Sequence, residues 1–333
     1  MADRLLVLCY HNVRGTWCFP SSGDTGPQGL ERQLRALRRV ATVLPLDEAL
    51  ARLSQGRPLP RAAVALTFDD GYTDNLTLAA PLLERLSLPA TFFLVPGLLS
   101  RTVSAWWETV GWAFCAATRS ELVWEGTCHR LGSEPERAHA QAVVAAALKR
   151  RNRAAREDAV HELVRRLAPS TPAPGPDLFL DWEGARRLVA RGHAVGSHSS
   201  YHAILSQETE AEQTDDLVQA RRQLEGELGV PTPILAYPNG TVADYDAATL
   251  RAVARAGHSF AMTTVEGFNG SGTPPYEIRR SFMVPQRGLV DLLANLRYLA
   301  RGARGRIARS ISSTRNSRAE GAVDGRSGDG MTP

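Results

Sequence analysis

Two adjacent carboxylates and two histidines four residues apart are the side chains in this sequence best suited to chemistry. Asp69-Asp70-Gly71 ends an apolar run, and the histidines lie far downstream in His198-Ser199-Ser200-Tyr201-His202. Together they can supply three metal ligands and leave one carboxylate free. Three protein ligands with an open position are typical of a catalytic zinc-type site, and a spare carboxylate could take a proton from water. The pattern therefore predicts a metal-dependent hydrolase.

The elements that must position these side chains are predicted to be alternating strands and helices. Buried strands are expected at residues 5–9, 62–68, 91–95, 194–196, 234–236 and 258–262, with amphipathic helices between most of them. This alternation favours a parallel sheet, open or closed into a barrel. Four polar clusters directly follow predicted strands: Tyr10-His11, Asp69-Asp70, His198 and Tyr237-Pro238. Because strand carboxyl ends share one face of a parallel barrel, we expect the four clusters to converge.

Two segments depart from the alternation. Residues 98–178 contain helical stretches, no clear strand and a proline-rich end, so we expect a helical insertion. The region from residue 302 is rich in Arg, Ser and Gly and lacks apolar periodicity, which predicts disorder. The expected organisation is a first barrel part at 1–97, the insertion at 98–178, a second barrel part at 179–301 that ends in a helix at 289–299, and a tail at 302–333.

Composition limits the class of protein more than its chemistry. A chain of 333 residues that is 43% hydrophobic can bury a large core, and its net charge of +4 does not call for a polyanionic partner. Four cysteines without C-x-x-C spacing suit a reducing compartment. The apolar run at residues 5–9 is too short for a signal peptide or a membrane span, so a cytoplasmic protein is expected. The basic segment at 149–153 and the tail could touch a membrane or a lipid-linked sugar, but no module for nucleic acid is present.

Three motifs in this order resemble those of a known family. Thr67-Phe68-Asp69-Asp70-Gly71, His198-Ser199-Ser200-Tyr201-His202 and Ala236-Tyr237-Pro238-Asn239-Gly240 are similar to the first three motifs of the polysaccharide deacetylases, the NodB-homology group or carbohydrate esterase family 4. The resemblance covers roughly residues 4–95 and 180–285. It implies an α/β fold, an irregular or incomplete (β/α) barrel of the NodB-homology type, here with a helical insertion.

The resemblance also implies a role for each matching residue. Asp70, His198 and His202 match the metal ligands, and Asp69 matches the general base. The backbone N–H of Tyr237 matches the donor that stabilises the oxyanion. One divalent ion is implied, with zinc the first choice for two histidines and an aspartate, although iron, cobalt or nickel would fit the same ligands.

Two departures from the family pattern concern the proton donor and an arginine. No histidine follows His258, where many members carry their general acid, but Tyr10-His11 resembles an N-terminal motif of a subgroup in which this histidine is the acid. We therefore assign the general acid to His11; the alternative is a histidine that only supports Asp69 or a strand end. The arginine that often begins the third motif is also missing, and either Arg279 or Arg280 could pair with Asp69 instead.

The function expected from the sequence is removal of N-acetyl groups from amino sugars of a polysaccharide or glycan precursor. The same machinery could deacylate another amide or an O-acetyl ester, and a barrel that binds carbohydrate without turnover is the rival from another class. Four tryptophans could stack on sugar rings, although core packing is favoured for them: Trp106, Trp107, Trp112 and Trp124. The sequence identifies neither the sugar nor the oligomeric state.

Overall fold

A curled, mostly parallel sheet occupies the centre of the computed structural model, which describes residues 4–19 and 26–285. The strands in this part of the chain are β1 (Leu5–Tyr10), β2 (Thr42–Val43), β3 (Ala63–Phe68), β4 (Thr91–Leu94), β5 (Glu121–Trp124), β6 (Thr127–Arg130), β7 (Ala194–Ser197), β8 (Ile234–Ala236), β9 (Phe260–Met262) and β10 (Ser281–Phe282). The helices are α1 (Gly26–Val40), α2 (Leu46–Ser54), α3 (Ala80–Leu86), α4 (Pro96–Leu99), α5 (Trp106–Cys115), α6 (Glu134–Lys149), α7 (Arg153–Leu167), α8 (Trp182–Ala190), α9 (Glu210–Leu228) and α10 (Ala247–Arg255).

Parallel pairing aligns the carboxyl ends of the central strands. The order across the sheet is β10-β1-β3-β4-β7-β8-β9, with β2 added beside β3, and every pairing in it is parallel. Tyr10 at the end of β1 pairs with Phe68 at the end of β3. Leu94 at the end of β4 pairs with Ser197 at the end of β7. Each residue after one of these strands therefore emerges at the same edge, as expected for the polar clusters.

The buried strands are continuous apolar runs, which is why the sequence pattern located them. β1 and β3 are buried along their whole lengths, the pattern of parallel strands covered on both faces. The architecture confirms the expected incomplete (β/α) barrel. The ends of the six predicted strands differ from the observed ones by at most two residues, as is usual for element ends.

Segment 98–178 contains a β-hairpin that the sequence reading missed. β5 and β6 pair antiparallel, and Glu125 and Gly126 between them both have positive φ, at 48° and 80°. Two residues of this kind form the connection that best fits the twist of a tight hairpin. The expectation that this segment lacks strands is therefore wrong, because a four-residue strand next to a glycine turn gives too short a pattern to detect.

The hydrophobic cluster of this segment is formed by α5, α6, α7 and the hairpin, together with Tyr72, Val95, Phe179 and Ile204 from outside it. Its four tryptophans are 6–8% exposed, so they pack in this core and leave little ring surface for a sugar.

Among residues 4–19 and 26–285, every helix is too short or too polar to span a membrane. The helix expected at 289–299 and the tail from 302 lie outside the described residues.

Candidate active site

Asp70, His198 and His202 meet at the carboxyl edge of the sheet. Asp70 lies two residues after β3, and His198 directly follows β7. The Nε2 atoms of His198 and His202 each lie 3.3 Å from Oδ1 of Asp70. All three side chains are buried, and their ligand atoms lie within 4.8 Å of one another. The structure thus brings together the three residues expected to hold a metal.

The turns that present these groups use unusual backbone conformations. Asp70, Ser199, His202 and Asn239 all have positive φ, between 52° and 70°. Residues other than glycine rarely adopt a positive φ, and such backbone conformations cluster at functional sites. Gly71 continues the turn at φ 73°, where a Cβ would lie 2.9 Å from Cδ2 of Leu94. The left-handed conformation therefore favours glycine at position 71, and a Cβ there would also require the Leu94 side chain to shift.

The two neighbouring aspartates have different electrostatic surroundings. Burial opposes ionisation of Asp70, but hydrogen bonds from His198 and His202 outweigh it and lower the pKa of Asp70 far below its usual value. Burial lowers the pKa of His202, whereas hydrogen bonding to Asp70 overcomes burial and raises the pKa of His198. An ionised carboxylate beside two imidazoles is a donor set suited to a divalent cation.

Asp69 is paired with Arg280, which decides between the two arginines left open by the sequence. Nη1 of Arg280 lies 2.7 Å from Oδ1 of Asp69, and the Arg280 side chain is fully buried. Its Nε donates to the carbonyl of Thr263 at 2.9 Å. Burial opposes ionisation of Asp69, but the Arg280 charge outweighs it and lowers the pKa of Asp69. Arg280 immediately precedes β10, and Arg279 beside it is exposed.

His11 and Cys9 lie next to Asp69. A ring nitrogen of His11, the Cys9 sulfur and an Asp69 oxygen all lie within 4.8 Å of one another, and the Cys9 thiol donates to Oδ2 of Asp69 at 3.5 Å. The amide of Asn75 donates to the His11 carbonyl at 2.7 Å. Burial lowers the pKa of His11, against the charges of Asp70 and Asp69. The chain thus places His11 within reach of the same small volume as the proposed base.

Asp74 holds the segment that follows His11. Its Oδ2 accepts hydrogen bonds from the backbone N–H groups of Val13 and Arg14, each at 2.8 Å. A turn of π-helix at Asn75–Ala79 precedes α3, and its first N–H groups receive no side-chain cap. The Asp74 carboxylate therefore bonds to a segment distant in sequence and does not cap the helix that follows it.

Tyr237 follows β8, but its backbone N–H is already used in the sheet. This N–H donates to the carbonyl of Met262 at 3.0 Å. Asn239, two residues later, is not bonded in this way: within residues 26–285 its backbone N–H has no backbone acceptor, and its buried Nδ2 has no partner. Sequence reasoning missed Asn239, although it lies in the third motif. The oxyanion role of Tyr237 remains a prediction, with Asn239 carrying the uncommitted donors at this strand end.

Helix α5 of segment 98–178 supplies a contact that no sequence motif indicated. The Trp107 ring lies over the His202 ring, with centroids 4.1 Å apart and planes inclined at 39°. Trp107 Nε1 donates to the Tyr72 hydroxyl at 2.9 Å, and that hydroxyl donates to Glu108 at 2.8 Å. Segment 98–178 therefore forms part of the wall around the candidate metal ligands.

The residues present fit a single divalent cation. Oδ1 of Asp70 is buried and faces the Nε2 atoms of His198 and His202, each 3.3 Å away. Nδ1 of His198 lies 2.7 Å from the carbonyl of Ala236, an arrangement that leaves Nε2 free to act as a ligand. One carboxylate and two imidazoles suit zinc, iron, cobalt or nickel.

Comparison with known proteins identifies relatives by sequence. The family model described as polysaccharide deacetylase matches residues 56–261. The YxkH protein of Bacillus subtilis (strain 168) is 32% identical over 97 residues, which is 28% of this chain and 32% of YxkH. The chain thus matches about a third of that relative's length. The family match begins after Tyr10-His11, so membership in the N-terminal subgroup stays a prediction.

Solved structures share the fold. The Streptococcus pyogenes deacetylase PplD, in complex with acetate, has a TM-score of 0.58 and 18% identity over 88% of this chain and 98% of its own. IcaB from Ammonifex degensii has a TM-score of 0.55 and 21% identity, covering 87% of this chain and 98% of its own. The BpsB deacetylase domain from Bordetella bronchiseptica also has a TM-score of 0.55, with 18% identity, covering 84% of this chain and 96% of its own. At these identities the likeness concerns the fold.

Proposed function

The chain belongs to the polysaccharide deacetylase family, and from this membership we propose that it is a metal-dependent hydrolase that removes N-acetyl groups from amino sugars of a polysaccharide or glycan precursor. One observation carries the proposal. The carboxylate of Asp70 meets two imidazoles beside a second carboxylate, Asp69, that is separately paired with a buried guanidinium. A site that only binds carbohydrate has no need of an ionised base next to a metal site.

The Arg280 pairing also bears on the rival reading of a barrel without turnover. The missing arginine of the third motif and the missing C-terminal histidine would favour a barrel that binds carbohydrate without turnover. Arg280 supplies a guanidinium to Asp69 from another part of the chain. His11 supplies an imidazole near the same carboxylate. Each missing group therefore has a counterpart of the same chemical type.

The proposed reaction is hydrolysis of an acetamide with Asp69 as base. Asp69, kept ionised by Arg280, takes a proton from the attacking water as the new C–O bond forms. His11, which lies near Asp69, gives a proton to the amine nitrogen as the C–N bond breaks, so that acetate and a free amine result. Donors that follow β8, at Tyr237 or Asn239, stabilise the negative oxygen between these two steps.

Asp70, His198 and His202 would hold the cation. When bound there, a divalent cation acts as a Lewis acid toward the acetamide carbonyl and stabilises developing negative charge. Burial of the three ligands excludes competing water and strengthens that electrostatic effect. Zinc is the ion we expect first, with iron, cobalt and nickel as the other candidates.

The test is release of acetate from N-acetylated oligosaccharides by wild type, Asp69→Asn and His11→Ala, each loaded with zinc or cobalt. We expect release by wild type and a loss of 100-fold or more, roughly the usual contribution of a general base or acid, in both variants. His161→Ala is the matched control, because His161 is exposed on α7 and distant in sequence from every motif.

Each outcome separates one part of the proposal. Loss in Asp69→Asn alone would keep the hydrolase and remove His11 from the mechanism. Release from O-acetyl esters but not from acetamides would replace the proposed substrate. A stoichiometrically metal-loaded protein that releases no acetate from either class would overturn the proposal in favour of the binding barrel.

A further inference from the structure

We propose that helix α5 positions the metal ligand His202, with Trp107 holding the His202 ring and a hydrogen-bonded pair, Tyr72 and Glu108, holding Trp107. This inference rests on the metal site of the proposed function. It gives segment 98–178 a task at the metal centre, carried out by residues that do not themselves bind the cation.

The two histidine ligands are oriented by different means. Nδ1 of His198 lies 2.7 Å from the Ala236 carbonyl, the usual way of fixing a metal-binding ring. Nδ1 of His202 is buried and has no hydrogen-bond partner among residues 4–19 and 26–285. Its ring is instead packed against Trp107, with centroids 4.1 Å apart. Packing on the indole therefore replaces the hydrogen bond that would otherwise hold the His202 ring with Nε2 toward the cation.

Trp107 is held in turn by a directional pair of hydrogen bonds. Its Nε1–H can only donate, and it donates to the Tyr72 hydroxyl at 2.9 Å. The Tyr72 hydroxyl uses its own proton on Oε1 of Glu108 at 2.8 Å, which leaves its lone pairs to face Trp107. Both Tyr72 and Glu108 are 1% exposed, so water does not compete for these bonds. The indole plane is thus fixed by bonds that burial protects.

Glu108 connects this arrangement to the loop that follows the proposed acid. Its Oε1 also accepts from the Thr16 hydroxyl at 2.7 Å, and its Oε2 accepts from the Cys18 backbone N–H at 3.0 Å. One buried carboxylate therefore joins α5, the turn after Asp70 and the loop after His11. A shift of α5 would reach His202 through Trp107 and the His11 loop through Glu108.

The consequence is expected in metal affinity as well as in turnover. Groups that orient a ligand without touching the metal typically change metal affinity by about 10- to 100-fold when they are removed. Trp107→Leu removes the ring contact to His202 while retaining an apolar side chain. Glu108→Gln nearly preserves the shape of the side chain but cannot accept hydrogen bonds from all three donors as a carboxylate does. We therefore expect it to weaken metal binding as well, by a smaller factor than Trp107→Leu.

The experiment measures Co²⁺ binding by competition with a chelator and records the visible d–d spectrum of the bound ion. The matched control is Trp112→Leu, because Trp112 lies on the same helix, is 6% exposed and bonds through Nε1 to Thr171 at 3.0 Å. We expect Trp107→Leu to weaken binding by about 10-fold or more and to alter the spectrum. Trp112→Leu should lower the melting temperature yet leave affinity and spectrum unchanged.

Four outcomes would overturn the inference. Wild-type affinity and spectrum in folded Trp107→Leu would remove Trp107 from the metal centre. An equal loss in Trp112→Leu would assign the effect to general destabilisation of the segment. If Trp107→Leu does not fold, unchanged affinity and spectrum in Glu108→Gln would decide against it. Failure of the wild type to bind Co²⁺, with no difference from Asp70→Asn, would instead overturn the proposed metal site and the inference with it.

Discussion

At the scale of single residues, the two carboxylates that end β3 differ through their partners. Asp70 faces two imidazoles, whereas Asp69 faces the guanidinium of Arg280. Both are buried, so neither could remain ionised without those partners. In the proposed mechanism these adjacent residues of one type take distinct tasks, Asp69 as the base and Asp70 as a metal ligand. This division by environment is the pattern seen where one site needs two carboxylates in different roles.

Replacing Arg280 should show how far the low pKa of Asp69 depends on the guanidinium. In Arg280→Gln, burial of Asp69 is no longer opposed by the guanidinium, so the pKa of Asp69 should rise. A base works only when it is deprotonated, so the acidic limb of the rate profile should move to higher pH. We expect this shift in the pH dependence of acetate release, together with a lower melting temperature.

Arg279→Gln is the matched control for this prediction. Arg279 is the neighbouring arginine but is exposed, and no bond joins its guanidinium to Asp69 in the described chain. Its replacement should leave the acidic limb in place. An acidic limb that stays fixed in Arg280→Gln, or that moves equally in both variants, would contradict the pairing as the source of the effect.

The sequence predicted the residues that lie in motifs and left open those that depend on packing. Asp70 and His198 were located because they follow strands that read as apolar runs. The sequence leaves the choice between Arg279 and Arg280 open. Both precede a two-residue strand, which is too short for an alternating pattern to show which arginine faces the core. For Trp107 the sequence favours core packing and leaves sugar stacking open, and it does not indicate the contact with His202, which joins residues 95 positions apart. No local pattern encodes such a contact.

At the scale of elements, α5 can reach the site because it is packed closely against the loop after His11. A Cβ at Gly111 would lie 2.6 Å from both the carbonyl carbon and the oxygen of Trp17. Gly111 is thus the position where the helix and the loop backbone touch. The neighbouring bond from the Cys18 N–H to Glu108 depends on that approach. The sequence pattern also fails to indicate the β5–β6 hairpin and the π-helical turn at Asn75–Ala79, because each depends on a turn geometry or on a partner distant in sequence.

Gly111→Ala should therefore destabilise the protein despite the better helix propensity of alanine. Alanine gains about 1 kcal/mol over glycine inside a helix, but forcing an atom into a filled space costs about 1–3 kcal/mol. We expect a net loss in the free energy of unfolding, measured by chemical denaturation. Gly226→Ala on α9 is the matched control, because a Cβ there meets nothing within 4 Å, and it should stabilise by about 0.5–1 kcal/mol. Equal stabilisation by both substitutions would show that the loop does not pack on α5 in this way.

At the scale of the whole molecule, the barrel buries titratable groups outside the site as well as in it. His258 lies between α10 and β9 and is 3% exposed. Burial, followed by the charge of Arg221, lowers the pKa of His258 to about 4. The folded protein therefore keeps this ring neutral at a pH at which the unfolded chain, with its ordinary value of 6.5, would already be protonated.

Because the pKa of His258 is lower in the folded protein than in the unfolded chain, the free energy of unfolding should decrease as the pH is lowered. Above about pH 6.5 the ring is neutral in both states and has no effect. As the pH falls toward about 4, the unfolded chain binds a proton that the folded chain excludes, so the unfolded state is favoured. Between pH 7 and pH 5 this costs about 2 kcal/mol, from 1.36 kcal/mol for each pKa unit. His258→Leu removes the titration, so its free energy of unfolding should decrease less over that interval than that of wild type. Parallel curves for the two proteins would show that burial of His258 does not control this part of the acid sensitivity, and other carboxylates and histidines of the barrel would then have to account for it.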